Sequence, residues 1–239
     1  MNKKVKQSLK DYPREMIGYG QDSINPMWPN DSRIAVQFVL NYEEGGENSI
    51  LHGDDASETF LSEIIGAKAY VGSRHMSMES IYEYGSRAGV WRILRLFKEF
   101  NIPITIFAVG LAIARNRELA DYLVEHNYDI CAHGFRWIDY QFVEEKIERE
   151  HIKDCISILT EFLGKRPEGW YTGRNSPNTR KLIIEEGGFL YDSDAYDDDL
   201  PYWANEFDTD KKHLIIPYTL DVNDMRFASP QGCLLYTSP

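Results

Sequence analysis

Two short runs, Ile104-Thr-Ile-Phe-Ala-Val109 and Asp129-Ile-Cys-Ala-His133, decide the fold. Each is a mainly apolar segment, too short for a helix of its own, which is the pattern of a strand buried on both faces. Between them Leu119, Leu123 and Val124 recur at helical spacing behind Asn116, a residue type whose side chain caps a helix well. Ahead of the first run, Val90, Ile93, Leu94, Phe97 and Phe100 form another helical stripe, beginning near Ser86 and stopping before Pro103. Helix, strand, helix, strand in this order predicts βα units and a parallel sheet.

Working outward, Arg33 to Glu43 reads as the first strand of the set. Beyond His133 a long helix is expected from about Val143 to Leu163, with Ile147, Ile152, Cys155, Ile156, Leu159 and Phe162 turned inward and Gly164 as its stop. Trp170-Tyr-Thr172 is the next strand, Pro177 and Asn178 open a helix reaching Glu186, and Gly187-Gly188 close it. Phe189 to Asp192 and His213 to Leu220 read as strands. This spacing is compatible with a sheet wound open or closed into a barrel. From Glu44 to Ser86 about 40 residues show no strong period, and a connection that long usually covers a site or mediates assembly.

The chain has 239 residues, 43% of them hydrophobic, which suits one large α/β domain, expected over residues 1–232. After Gly232 the sequence Cys233-Leu-Leu-Tyr-Thr-Ser-Pro239 breaks the alternation and is expected to be an unrelated tail on a fold incomplete at that end. Lys and Arg number 26 against 38 Asp and Glu, a formal charge of −12, so nucleic acid and anionic membrane surfaces are poor partners. No segment approaches the roughly 18 apolar residues of a membrane span, and Met1 to Lys10 leads into no apolar export signal. Cys131, Cys155 and Cys233 are odd in number and lack CxxC spacing, which argues against a disulfide framework or a thiolate zinc site and for a reducing cytoplasm.

On these strand assignments, several polar residues fall at the carboxyl ends of strands: Glu43 and Glu44, His133, Arg174, and Asp192 with Asp194. In parallel α/β folds those ends form one rim, where catalytic groups gather. Each has a plainer reading. Glu43 and Glu44 would serve as solvated strand-end acids, His133 as a structural histidine, and Arg174 with Asp192 and Asp194 as a surface ion pair. Two carboxylates this close at a cleft would also raise one pKa, as a general acid or base near neutrality requires. Metal spacing is not evident: His133 has no second histidine within helical or turn reach, and His75, His126, His151 and His213 are scattered.

At these residues the chain resembles the polysaccharide deacetylase superfamily, the NodB-homology domain, up to about Gly232. The resemblance implies a distorted parallel (β/α) barrel, whose metal-dependent members hydrolyse acetyl groups on glycans. Their Thr-Phe-Asp-Asp-Gly strand end, with one Asp as base and the next as metal ligand, stands here as Asn41-Tyr-Glu-Glu-Gly45. Their His-Ser/Thr-x-x-His motif, which holds the metal, stands as His133-Gly-Phe-Arg-Trp137, with Trp137 at the second ligand. These departures, with Tyr12 to Gly20, His75 to Ser80, Gly169 to Asn178 and Tyr191 to Asp194, are similar to the PuuE-type allantoinases, a metal-independent branch.

That resemblance implies hydrolysis of allantoin to allantoate in the cytoplasm by a homotetramer without metal or other cofactor. Glu43, Glu44 and His133 would be catalytic, and Arg174, Trp137, Asp194 and Tyr171 would contact the substrate. Three rivals remain at this point: a cyclic-imide or hydantoin hydrolase, a metal-dependent polysaccharide or peptidoglycan N-deacetylase, and a non-catalytic ligand-binding domain. The superfamily's last motif, a strand carrying a histidine, is expected beyond Pro239.

Overall fold

A computed structural model describes residues 12–64, 66–204 and 212–225. The proposed tail at 233–239 and the basic start at Met1 to Lys10 lie outside the described residues. The chain divides into two compact units, one ending at Val36 and the other starting at Gln37. Among the described residues of the first, the regular element is a 3-10 turn at Pro29–Asp31.

The second unit holds a seven-stranded sheet: β1 Val39–Tyr42, β2 Thr105–Ala108, β3 Asp129–Ala132, β4 Gly169–Trp170, β5 Tyr191–Asp192, β6 Tyr202–Trp203 and β7 Leu214–Ile215. Helices α1 Met76–Tyr84, α2 Val90–Glu99, α3 Gly110–Arg115, α4 Arg117–Glu125, α5 Glu145–Leu163 and α6 Thr179–Glu186 fill the connections. The strand order is β1-β2-β3-β4-β5-β7-β6, with every pair parallel except β6 with β7. Because β1 to β5 lie side by side in chain order, the sheet winds in one direction as a (β/α) barrel does, without the reversal of a doubly wound sheet. Among the described residues no ladder joins β1 to β6.

The expected elements are present but the strands are shorter. β1 spans Val39–Tyr42 rather than Arg33 to Glu43, because its partner β2 is only four residues long and follows Pro103, which has no N–H for a ladder. The run expected from His213 to Leu220 pairs only at Leu214–Ile215. Three of the helices and strands named above have no counterpart in the sequence reading: α1, whose buried face consists of Met78 and Tyr82, the short helix α3, and the antiparallel edge strand β6. The capping expectations hold. Asn116 accepts from the Leu119 amide at the start of α4, and Gly164 ends α5 at φ 73°. Leu94, Leu119, Leu123, Ile152, Cys155 and Leu159 are buried together between helices and sheet. Cys131 and Cys155 are buried and free, and no described helix is long and apolar enough to cross a membrane.

Candidate active site

One row of the sheet register runs Tyr42–Ala108–Ala132–Trp170–Asp192–Ile215. The residues that follow it, Glu43, Val109, His133, Tyr171 and Ser193, therefore stand level on the carboxyl rim. Glu43 and His133 are two strands apart, about 10 Å at the backbone, a gap that a glutamate and an imidazole reaching towards each other can close. They do close it: His133 Nε2 lies 2.9 Å from Glu43 Oε1.

The other ring nitrogen fixes the protonation. His133 Nδ1 lies 3.0 Å from the Tyr171 carbonyl oxygen, which can only accept, so Nδ1 carries a hydrogen and donates. A neutral ring would then present a bare lone pair at Nε2 to a carboxylate. A 2.9 Å contact there needs a further proton, held on either His133 or Glu43. The pair is a shared-proton site, with the histidine buried and Glu43 partly open to the cavity.

Glu43 and Glu44 diverge because the chain turns at once. Gly46 donates to the Glu43 carbonyl at 2.8 Å, and Gly45 takes φ 93°, backbone that glycine adopts without strain. Glu44 is thereby sent away from His133, to the π-helical turn Gly85–Gly89 that joins α1 to α2. The Ser86 hydroxyl, 2.7 Å from that of Tyr42, ties this turn to the end of β1. A side chain at position 85 would overlap Glu44 Oε1, so Gly85 is what lets the carboxyl lie there. Burial pushes the Glu44 pKa up to about 7. The neighbouring carboxylate expected to cause such a shift, Glu43, contributes less than desolvation does. Gly85→Ala is therefore expected to displace Glu44 and lower turnover by roughly 100-fold, the scale for misplacing a catalytic group by an ångström. The acid limb of the pH–rate profile should shift away from 7 in the same variant, which steady-state kinetics across pH would check.

Arg174 closes the opposite wall. Its guanidinium carbon sits 3.7 Å from the Trp137 ring centroid and 5.5 Å from that of Phe60, and its contact to Glu58 is 3.6 Å. Stacking on the indole holds the cation in place while N–H donors remain for an incoming group. Trp137, expected to contact the substrate, thus carries Arg174 on its face. Tyr171 packs beside His133 with centroids 4.9 Å apart, and its hydroxyl is 3.0 Å from that of Tyr196.

The aspartates act elsewhere. Asp194, expected to touch substrate, does not line the cavity: both its oxygens accept from the Thr172 amide, at 2.9 and 2.8 Å, and Gly173 donates to it at 2.7 Å. It holds the backbone that leads to Arg174, and burial raises its pKa to about 6. Asp192 is fully buried and accepts from Arg180 at 3.1 Å and His213 at 2.9 Å. The plain reading of Arg174 as the ion partner of Asp192 and Asp194 is replaced by these contacts.

Glu43, Glu44, His133, Trp137, Tyr171 and Arg174 line one cavity of about 490 Å³. Sequence reasoning missed Asn41, Phe60, Tyr82, Tyr196, Leu220, Asn223, Asp224 and Met225 on its wall. Asn41 was legible in principle, being two residues ahead of Glu43 on the same strand and so on the same face. Tyr82 was not, since α1 itself was not read.

A catalytic metal does not suit this donor set. Both nitrogens of His133 already face partners, and the second histidine position is Trp137, covered by a cation that would repel a divalent ion. Among the described residues no three His, Cys, Asp or Glu side chains group closely enough to hold one.

A rim with a shared proton, a carboxyl titrating near neutrality and a fixed cation is equipped for hydrolytic chemistry on an acyl carbon. The relatives agree. Residues 74–186 match the family described as Polysaccharide deacetylase. A Schizosaccharomyces pombe protein carrying a provisional polysaccharide deacetylase name is 44% identical over 224 residues, covering 87% of this chain and 69% of its own. The crystal structure of PuuE allantoinase superposes with a TM-score of 0.89 at 62% identity, covering 93% of this chain and 74% of that one. A Pseudomonas aeruginosa PAO1 structure, provisionally named a polysaccharide deacetylase, gives 0.88 at 62% identity, with coverages of 92% and 74%. The chain belongs to the polysaccharide deacetylase family, hydrolases of the NodB-homology fold.

Proposed function

We propose that the chain hydrolyses the ring amide of a cyclic ureide, allantoin to allantoate, without a metal. The observation that carries this reading is the Arg174 guanidinium stacked 3.7 Å over Trp137, the position where metal-dependent relatives are expected to carry a ligand histidine. A fixed cation there serves the developing oxyanion, the task a metal performs as Lewis acid. The 62% identity to PuuE allantoinase supports the substrate.

In this reading Glu44 takes a proton from water as the oxygen attacks the amide carbon. Arg174 faces the negative oxygen of the tetrahedral intermediate. As the C–N bond breaks, the proton shared by His133 and Glu43 passes to the departing ring nitrogen, giving a free ureide N–H and a carboxylic acid, which releases its proton to solvent to become the carboxylate. The proton on Glu44 then returns to the pair through water. Tyr171 and Trp137 shape the cavity, with Asp194 acting through the Thr172–Gly173 backbone.

Assaying the chain with allantoin, with and without a strong chelator, should show turnover that the chelator leaves unchanged. Acetate release from N-acetylated glycan oligomers, abolished by chelation, would favour the deacetylase names of other relatives instead. A homotetramer in the cytoplasm belongs to the same proposal, and sedimentation of the intact chain tests its assembly.

A further inference from the structure

Two polar atoms on the cavity wall have no hydrogen-bond partner although both are buried: Asn41 Oδ1 and the Tyr82 hydroxyl. Buried polar atoms are nearly always paired, and an orphan persists where function compensates its cost. Both residues line the cavity that holds the catalytic groups, and Tyr82 is 6% exposed. They are complementary in kind. Asn41 Oδ1 can only accept, while the Tyr82 hydroxyl is free to donate. Burial, with Glu58, Glu43 and Glu47 nearby, holds that phenol well above its ordinary range, so it keeps its proton.

The proposed reaction supplies matching groups. A cyclic ureide has ring N–H donors and carbonyl acceptors beyond the one under attack, and an enclosed pocket satisfies them only with side chains of opposite polarity. Resting on that reaction, we infer that Asn41 and Tyr82 select the substrate, with Asn41 Oδ1 accepting from a ring N–H and the Tyr82 hydroxyl donating to a ring carbonyl. Sites built on buried hydrogen bonds discriminate strongly against analogues that leave a partner unpaired. A ring methylated at that nitrogen should accordingly be a poor substrate.

The test uses Tyr82→Phe, which removes only the hydroxyl, and Asn41→Leu, which replaces the whole amide, its bond to Tyr218 included, by an apolar side chain of similar shape. Each should lower kcat/KM for allantoin by roughly 10- to 100-fold. Wild type should discriminate between hydantoin and its N-methyl derivative, and Asn41→Leu should lose most of that discrimination. The melting temperature of the ligand-free protein gives the reading a purely structural role would not share. The Tyr82 hydroxyl has no hydrogen bond to lose in the free state, so Tyr82→Phe should melt at or above the wild-type temperature, whereas Asn41→Leu also loses the bond to Tyr218 and is read on discrimination alone. A clear fall in the melting temperature of Tyr82→Phe would show that its hydroxyl is already satisfied within the fold and overturn the inference. Wild-type turnover with unchanged kcat/KM in both variants overturns it while leaving the reaction standing. No allantoin turnover by wild type overturns the reaction, and the inference with it.

Discussion

Glu43→Gln is expected to reduce kcat/KM for allantoin by about 10²–10⁴-fold, the range for removing a general acid or base, while the chain stays folded. The substitution separates two things the carboxylate does. His133 donates from Nδ1 to the Tyr171 carbonyl, which leaves Nε2 as an acceptor when the ring is neutral. A glutamine amide can donate into that lone pair, so the 2.9 Å contact and the ring orientation survive. What disappears is the extra proton, since an amide at this position cannot hold or share one. Circular dichroism and melting temperature should stay near wild type as turnover collapses. A rate within tenfold of wild type would remove the shared-proton pair from the mechanism.

The second large effect belongs to Glu44 and to pH. As the base it must be ionised, so kcat/KM should rise with pH through about 7, where its burial places the pKa. Glu44→Gln should abolish that limb along with roughly 100-fold or more of the rate. Stability should move the other way. The folded chain keeps this proton up to about 7, while the unfolded chain releases it near 4.5. A raised carboxyl pKa means stability is lost as pH climbs through that window, a loss on the order of 3 kcal/mol that is complete above it. Glu44→Gln should thus be more stable than wild type at pH 8 and close to it at pH 4. Urea titrations at both values would check the sign, and equal stability at pH 8 would place the carboxyl in water rather than in the wall.

Much of the architecture was readable along the chain. The alternation of α2, β2, α4 and β3 follows from apolar period, and the Asn116 cap and the Gly164 stop from residue type, because these depend on neighbours within a few residues. The extent of β1 and β7 was not, since a strand lasts only as long as its partner and the partner is distant in sequence. Helix α1 escaped for another reason: with two buried positions, Met78 and Tyr82, its apolar stripe is too thin to announce a helix.

The site divides along the same line. That Glu43, His133 and Arg174 would share a rim was legible, because parallel strands bring their carboxyl ends together whatever the loops do. Their partners were not. Residue types told of charge and of hydrogen-bonding capacity, but the packing of loops and helices chose that Arg174 rests on Trp137, that Asp194 turns to the backbone, and that Gly85 clears room for Glu44. By itself the sequence determined which elements form and which groups reach the rim, since local backbone preference and burial period are written in neighbouring residues. Only the tertiary structure decided which ring nitrogen of His133 donates, through the Tyr171 carbonyl, and the raised pKa of Glu44, because one depends on a strand remote in the chain and the other on how far remote segments exclude water.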